Sequence, residues 1–164
     1  MTMDKKSLLI GITSKKIERL VQFRIKAGVD LLEAIYEAVK MERINTGVIV
    51  SGLGALKKAV FRNLKWFPES YPVTPDDRLY LELEKPMEIV SLGGWIATKE
   101  DGEPEIHAHF SASTVEGDMV VTLGGHLVPG TITGIKVVVA IAVLEEGTTF
   151  AGFDETTRSI DIMF

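Results

Sequence analysis

The segment Glu105-Ile106-His107-Ala108-His109-Phe110-Ser111-Ala112-Ser113 alternates without a break. Read as a strand, it points Ile106, Ala108, Phe110 and Ala112 one way and Glu105, His107, His109, Ser111 and Ser113 the other. A chain built around such a segment needs a sheet with one apolar and one polar face. The segment also holds two of the chain's three histidines, and the third follows in Gly124-Gly125-His126-Leu127.

The surrounding sequence supports a sheet. Arg19 to Lys26 reads as a strand, with Val21, Phe23 and Ile25 apolar and Gln22 and Arg24 between them. Leu79 to Leu83 alternates. Met87 to Thr98 is strand-like, with a bulge signal at Gly93-Gly94. Gly117-Asp118 marks a hairpin turn that leads into Met119 to Leu123. Gly124 to Gly130 then holds the third histidine, His126. Ile135 to Leu144 is a long, central-type strand, and Ile160 to Phe164 is a candidate edge. Thr46 to Val50 reads as a short buried strand, with another candidate over Ala59 to Leu64. The glycines of Ser51-Gly52-Leu53-Gly54-Ala55 between them predict a bend or close backbone packing. They do not make a nucleotide loop, because Lys57 stands where a third glycine should be.

One segment has helical periodicity. Asp30 to Arg43 places Leu31, Leu32, Ile35, Ala38 and Val39 on one stripe, with Asp30 as cap and Glu33 three residues on as in a capping box. Three prolines break up Lys65 to Arg78, where Trp66, Phe67 and Tyr71 either line a contact or pack over the core. Many strands with one main flanking helix, over about residues 30–43, predict an α+β domain with a mostly antiparallel sheet. At 164 residues the chain suits a single domain over 1–164, with 1–17 as a loose arm or edge strand.

The net charge of −5 and the short, scattered basic pairs (Lys15-Lys16, Lys57-Lys58, Arg62 with Lys65) disfavour an electrostatic grip on nucleic acid. With no cysteine there are no disulfides, and a metal must use nitrogen or oxygen ligands. The longest apolar run, Val137 to Leu144, is far short of the ~20 residues of a membrane-spanning helix. Met1 to Ile12 has no secretory pattern, so the cytoplasm is the expected compartment.

Imidazole nitrogen suits zinc and other divalent transition metals. His107 and His109 share a strand face, and the hairpin after them offers a route for His126 to supply a third ligand. Glu105, on the same face, is the candidate to orient an imidazole or act on a bound water. An HxH pair alone is a weak signal; Gly-Gly-His one hairpin later strengthens it. A serine nucleophile is disfavoured, since no GxSxG turn is present and Ser111 and Ser113 lie flat on the histidine strand.

Several blocks together resemble the PPC (plants and prokaryotes conserved) domain family in its stand-alone prokaryotic form, related to the domain of plant AT-hook proteins. They are Phe23-Arg24-Ile25, Gly28-Val29-Asp30-Leu31-Leu32-Glu33-Ala34, Gly47-Val48-Ile49-Val50-Ser51-Gly52-Leu53-Gly54 and Met87-Glu88-Ile89-Val90-Ser91-Leu92-Gly93-Gly94. The most specific are His107-Ala108-His109-Phe110-Ser111 and Gly124-Gly125-His126-Leu127. The resemblance implies an antiparallel sheet with a flanking helix, a homotrimer, and a metal site of His107, His109 and His126 near a subunit interface. The leading expectation is therefore a homotrimer whose three-histidine site, for zinc or another divalent transition metal, binds a small molecule or supports metal-assisted chemistry. The alternative is a DNA-associated or transcription-related interaction module without catalysis. The chain lacks the Arg-Gly-Arg-Pro AT-hook of the plant proteins, which weakens that alternative.

Overall fold

The computed structural model describes residues 8–164. In chain order the elements are β1 (Ile17–Lys26), α1 (Leu31–Met41), β2 (Thr46–Leu64), β3 (Arg78–Leu83), β4 (Met87–Thr98), β5 (Pro104–Glu116), β6 (Met119–Leu127), β7 (Ile132–Leu144), β8 (Phe150–Asp154) and β9 (Ser159–Met163). The expected α+β fold, mostly antiparallel strands with one main helix, is what the chain forms. Residues 1–7 of the expected arm lie outside the described residues. Residues 8–16 precede β1 and belong to no strand. They are tied down at their end, where the Lys16 amide donates to Glu145 Oε1 at 3.0 Å.

Seven strands form one sheet in the order β1-β7-β2-β4-β5-β6, with β3 paired to β2. The long strand β2 organises it. Its first half lies between β7 and β4, with Val48 opposite both Ala142 and Trp95. Its second half pairs with β3 on one edge and, through Phe61 and Arg62, with Leu127 and His126 of β6 on the other. The strands β2, β4, β5 and β6 therefore close on themselves. Closure removes an open edge and encloses apolar side chains. Phe61 and Phe110 stack inside, with ring centroids 4.6 Å apart.

Helix α1 covers the core side. The Asp30 side chain accepts from the Glu33 amide at 3.1 Å and from the Gly130 amide at 2.6 Å, so one carboxylate caps the helix and fastens the β6–β7 connection. Leu31, Ile35 and Val39 are buried against Val137, Val139 and Ile141 of β7 in one cluster. The expected stripe is present, with Asp30 outside the helix as its cap and the helix ending at Met41.

Four local expectations change. Thr46 to Val50 and Ala59 to Leu64 are parts of one strand, because Gly52 and Gly54 serve close packing within it. A Cβ at Gly52 would lie 2.4 Å from Leu92 Cδ2, and one at Gly54 would lie 2.1 Å from the Lys136 carbonyl oxygen. The β4 irregularity falls between Ile89 and Ser91, not at Gly93-Gly94, which pair in register with His109 and Ala108. The strand expected over Met119 to Leu123 runs on to Leu127 and so includes His126, because Gly124 and Gly125 continue the ladder opposite Ser111 and Phe110. The C-terminal segment pairs with β8 in a separate two-stranded sheet instead of edging the main one. No helix among the described residues is long and apolar enough to cross a membrane.

Candidate metal centre

Strand β5 turns Ala108, Phe110 and Ala112 into the core and leaves His107 and His109 on the outer face. His109 lies directly opposite His126 of β6, and opposed residues in an antiparallel pair share a face. The three histidines separated in sequence thus meet. Nε2 of His107 and Nε2 of His109 are 3.2 Å apart, and Nδ1 of His126 is 3.3 Å from Nε2 of His109. One nitrogen from each ring lies within 4.8 Å of the others. The His107 and His109 rings are nearly parallel, at 11°, and His126 meets both nearly edge-on, at 76° and 78°.

These separations suit a cation. Zinc–nitrogen bonds of about 2.0–2.1 Å at tetrahedral angles put neighbouring nitrogens about 3.3–3.4 Å apart. Hydrogen bonding alone accounts for the cluster less well. His109 Nε2 stands close to two other ring nitrogens, yet one ring nitrogen is either a donor or an acceptor. A single ion placed among the rings would use all three lone pairs.

Electrostatics keep those lone pairs free. Burial lowers the His126 pKa to about 3, with Arg62, His107, His109 and Arg78 adding in the same direction. Burial also lowers that of His107, assisted by His109 and Arg62 and opposed by Asp161. His109 is lowered by burial and then by Arg62. Trp95, opposite His107 on β4, stacks on it with centroids 5.3 Å apart.

Glu105 stands two residues before His107 on β5, opposite Ala97. It is not among the residues whose ligand atoms converge. Two participants escaped sequence reasoning. Arg62 reads locally as one of several scattered basic residues, but β2 curls to place it opposite His126. Asp161, on the C-terminal hairpin, acts on His107 from 54 positions further along the chain. Only the pairing of distant strands reveals the first, and nothing local signals the second.

Known structures share this architecture. A metal-containing protein from Archaeoglobus fulgidus is 24% identical, with a TM-score of 0.73 over 94% of this chain and 100% of its own. A plant- and prokaryote-conserved protein from Pyrococcus horikoshii is 26% identical, with a TM-score of 0.69 over 92% of this chain and 96% of its own. A candidate DNA-binding protein from Bacteroides thetaiotaomicron is 19% identical, with a TM-score of 0.69 over the same shares. No curated protein matches the chain. The family profile of the Plants and Prokaryotes Conserved domain matches residues 12–145, a span that holds all three histidines and the strands that bring them together. The chain belongs to the Plants and Prokaryotes Conserved (PCC) domain family.

Proposed function

We propose that His107, His109 and His126 hold one divalent transition metal, zinc in the first instance, and that the centre binds a small ligand or acts on one. The observation that carries this reading is the convergence of three imidazole nitrogens at separations of 3.2 and 3.3 Å. The likeness to a metal-containing archaeal protein supports it. Three protein ligands leave a fourth position open, as in catalytic rather than structural zinc sites. A metal held there would polarise an oxygen bound to it and ease loss of its proton. Trp95 would fix the His107 ring by stacking, and Glu105 is the candidate acid on the same strand. We further propose that the chain is one domain and assembles as a homotrimer.

Metal analysis of protein purified without a histidine tag tests the centre. The expected result is close to one metal per chain, falling to background in His107→Ala and His126→Ala. Metal content that is low in the native chain and unchanged in both variants would overturn the reading.

A further inference from the structure

We propose that the outer face beside the three-histidine centre binds a small oxyanion, a carboxylate or phosphate group, gripped by Arg62 with Arg78 close by. The proposal deepens the metal-centre reading and rests on it for one contact, the open position of the ion. It rests on the arginines for the others.

The first argument is placement. Arg62 is opposite His126 in the β2–β6 pair and opposite Tyr80 in the β2–β3 pair. His126 is in turn opposite His109, and His109 opposite Gly93. Tyr80, Arg62, His126, His109 and Gly93 therefore form one row across five strands, on one face. The row ends in a residue without a side chain. A Cβ at Gly93 would meet only the Ile49 carbonyl oxygen, at 3.8 Å, so space is open next to His109. Arg78 pairs with Leu64, two positions from the Arg62–Tyr80 pair, which puts it on the same face.

The second argument is charge. Arg62 is half-buried, yet no carboxylate among the described residues lies within ion-pair distance of it. The charged group that acts on it is another cation, Arg78, and its side-chain partner is the Tyr80 phenol, which carries no formal charge. No ion pair among the described residues engages Arg78 either. Asp161 acts on the cluster at His107, which is outside the Arg62 row. A half-buried cation whose neighbours are a neutral phenol and a second cation keeps its charge unbalanced, and an arrangement of this kind is best completed by an anion.

The third argument is chemical fit. A guanidinium presents a planar fork that matches two oxygens of a carboxylate or phosphate. An oxyanion held there could also turn an oxygen towards an ion bound by His126 and His109, which neutral ligands alone leave with its full positive charge.

The test loads the untagged native chain, Arg62→Gln and Arg62→Lys with zinc and measures their zinc content. Each is then titrated at constant ionic strength with inorganic phosphate and, separately, with malonate, with and without zinc. The native chain is expected to bind at least one of the two anions. Arg62→Gln should bind it about tenfold or more weakly at unchanged zinc content, as loss of a charge-assisted hydrogen bond predicts. Arg62→Lys should fall between them, and carries the comparison if Arg62→Gln does not fold. Preference for phosphate or malonate assigns the chemistry of the group. Failure of the zinc-loaded native chain to bind either anion would overturn the proposal, as would binding that is indifferent to Arg62. Absence of zinc uptake would overturn the metal reading alone, and anion binding that depends on Arg62 without zinc would leave this proposal standing.

Discussion

At the scale of the residue, the centre depends on imidazoles that stay unprotonated. The His126 pKa is lowered by burial to about 3 in the folded chain, whereas an exposed histidine titrates near 6.5. Between those values the unfolded chain binds a proton that the folded chain refuses. Stability of the metal-free protein therefore falls as pH drops from about 6.5 towards 3, and this contribution is absent above 6.5. His107 and His109 are shifted the same way, chiefly by burial, and add to the effect. Urea denaturation of the metal-free chain at a series of pH values should show a midpoint that declines through this window. His126→Asn should flatten the decline, and a slope as steep as that of the native chain would count against a buried, neutral His126. At this scale the sequence was informative: unbroken alternation put both His107 and His109 outside the core. It was uninformative for Arg62, whose neighbours in sequence, Phe61 and Asn63, say nothing about the histidine it faces across the β2–β6 pair.

At the scale of the element, glycines decide how closely strands approach. Gly93-Gly94 looks like a bulge in sequence, but Gly94 has a different task. A Cβ there would lie 2.2 Å from the His107 carbonyl oxygen and 2.7 Å from Ala108 Cα, so the missing side chain lets β4 lie tight against the histidine strand. Gly125 does the same for β6, where a Cβ would lie 2.9 Å from the Arg62 carbonyl oxygen. Composition marks such positions as turns because glycine is most often read through its backbone freedom. Here it is used for the volume it lacks, which depends on a partner strand far away in sequence. The same confusion split β2 in two and ended β6 at Leu123, short of His126. Gly94→Ala should destabilise the fold by about 1–3 kcal/mol, the usual cost of forcing atoms into a packed position. It should also lower metal uptake, because the backbone that must yield carries His107. Thermal denaturation and metal analysis of the variant would measure both; a variant with native melting temperature and full metal content would refute the close-approach account.

At the scale of the molecule, core and centre are the two sides of one closed set of strands. Phe110 stacks on Phe61 inside, while the adjacent His109 and Arg62 stand outside. The outer face does not stop at the histidines. Leu20, Ala142, Val48, Trp95 and His107 are opposed in succession across β1, β7, β2, β4 and β5, and so lie in one row on one face. Leu53 and Val138 are opposed beside that row. Of these, Leu20 is 57% exposed, Leu53 64%, and Val48 and Val138 39% each. Apolar side chains in neighbouring positions on central strands leave a patch that a soluble chain normally covers. The proposed homotrimer would cover it and would bring a neighbouring subunit up to Trp95 and His107. Leu53→Glu separates assembly from folding, since Leu53 is exposed in the single chain and its loss leaves the core intact. Light scattering should give three times the chain mass for the native protein and a smaller species for Leu53→Glu, with near-native circular dichroism. A native protein that is monomeric, or a Leu53→Glu variant of unchanged mass, would remove this face from the assembly. Metal content of the dissociated variant then reports whether the three histidines suffice alone, because their nitrogens already converge within one chain.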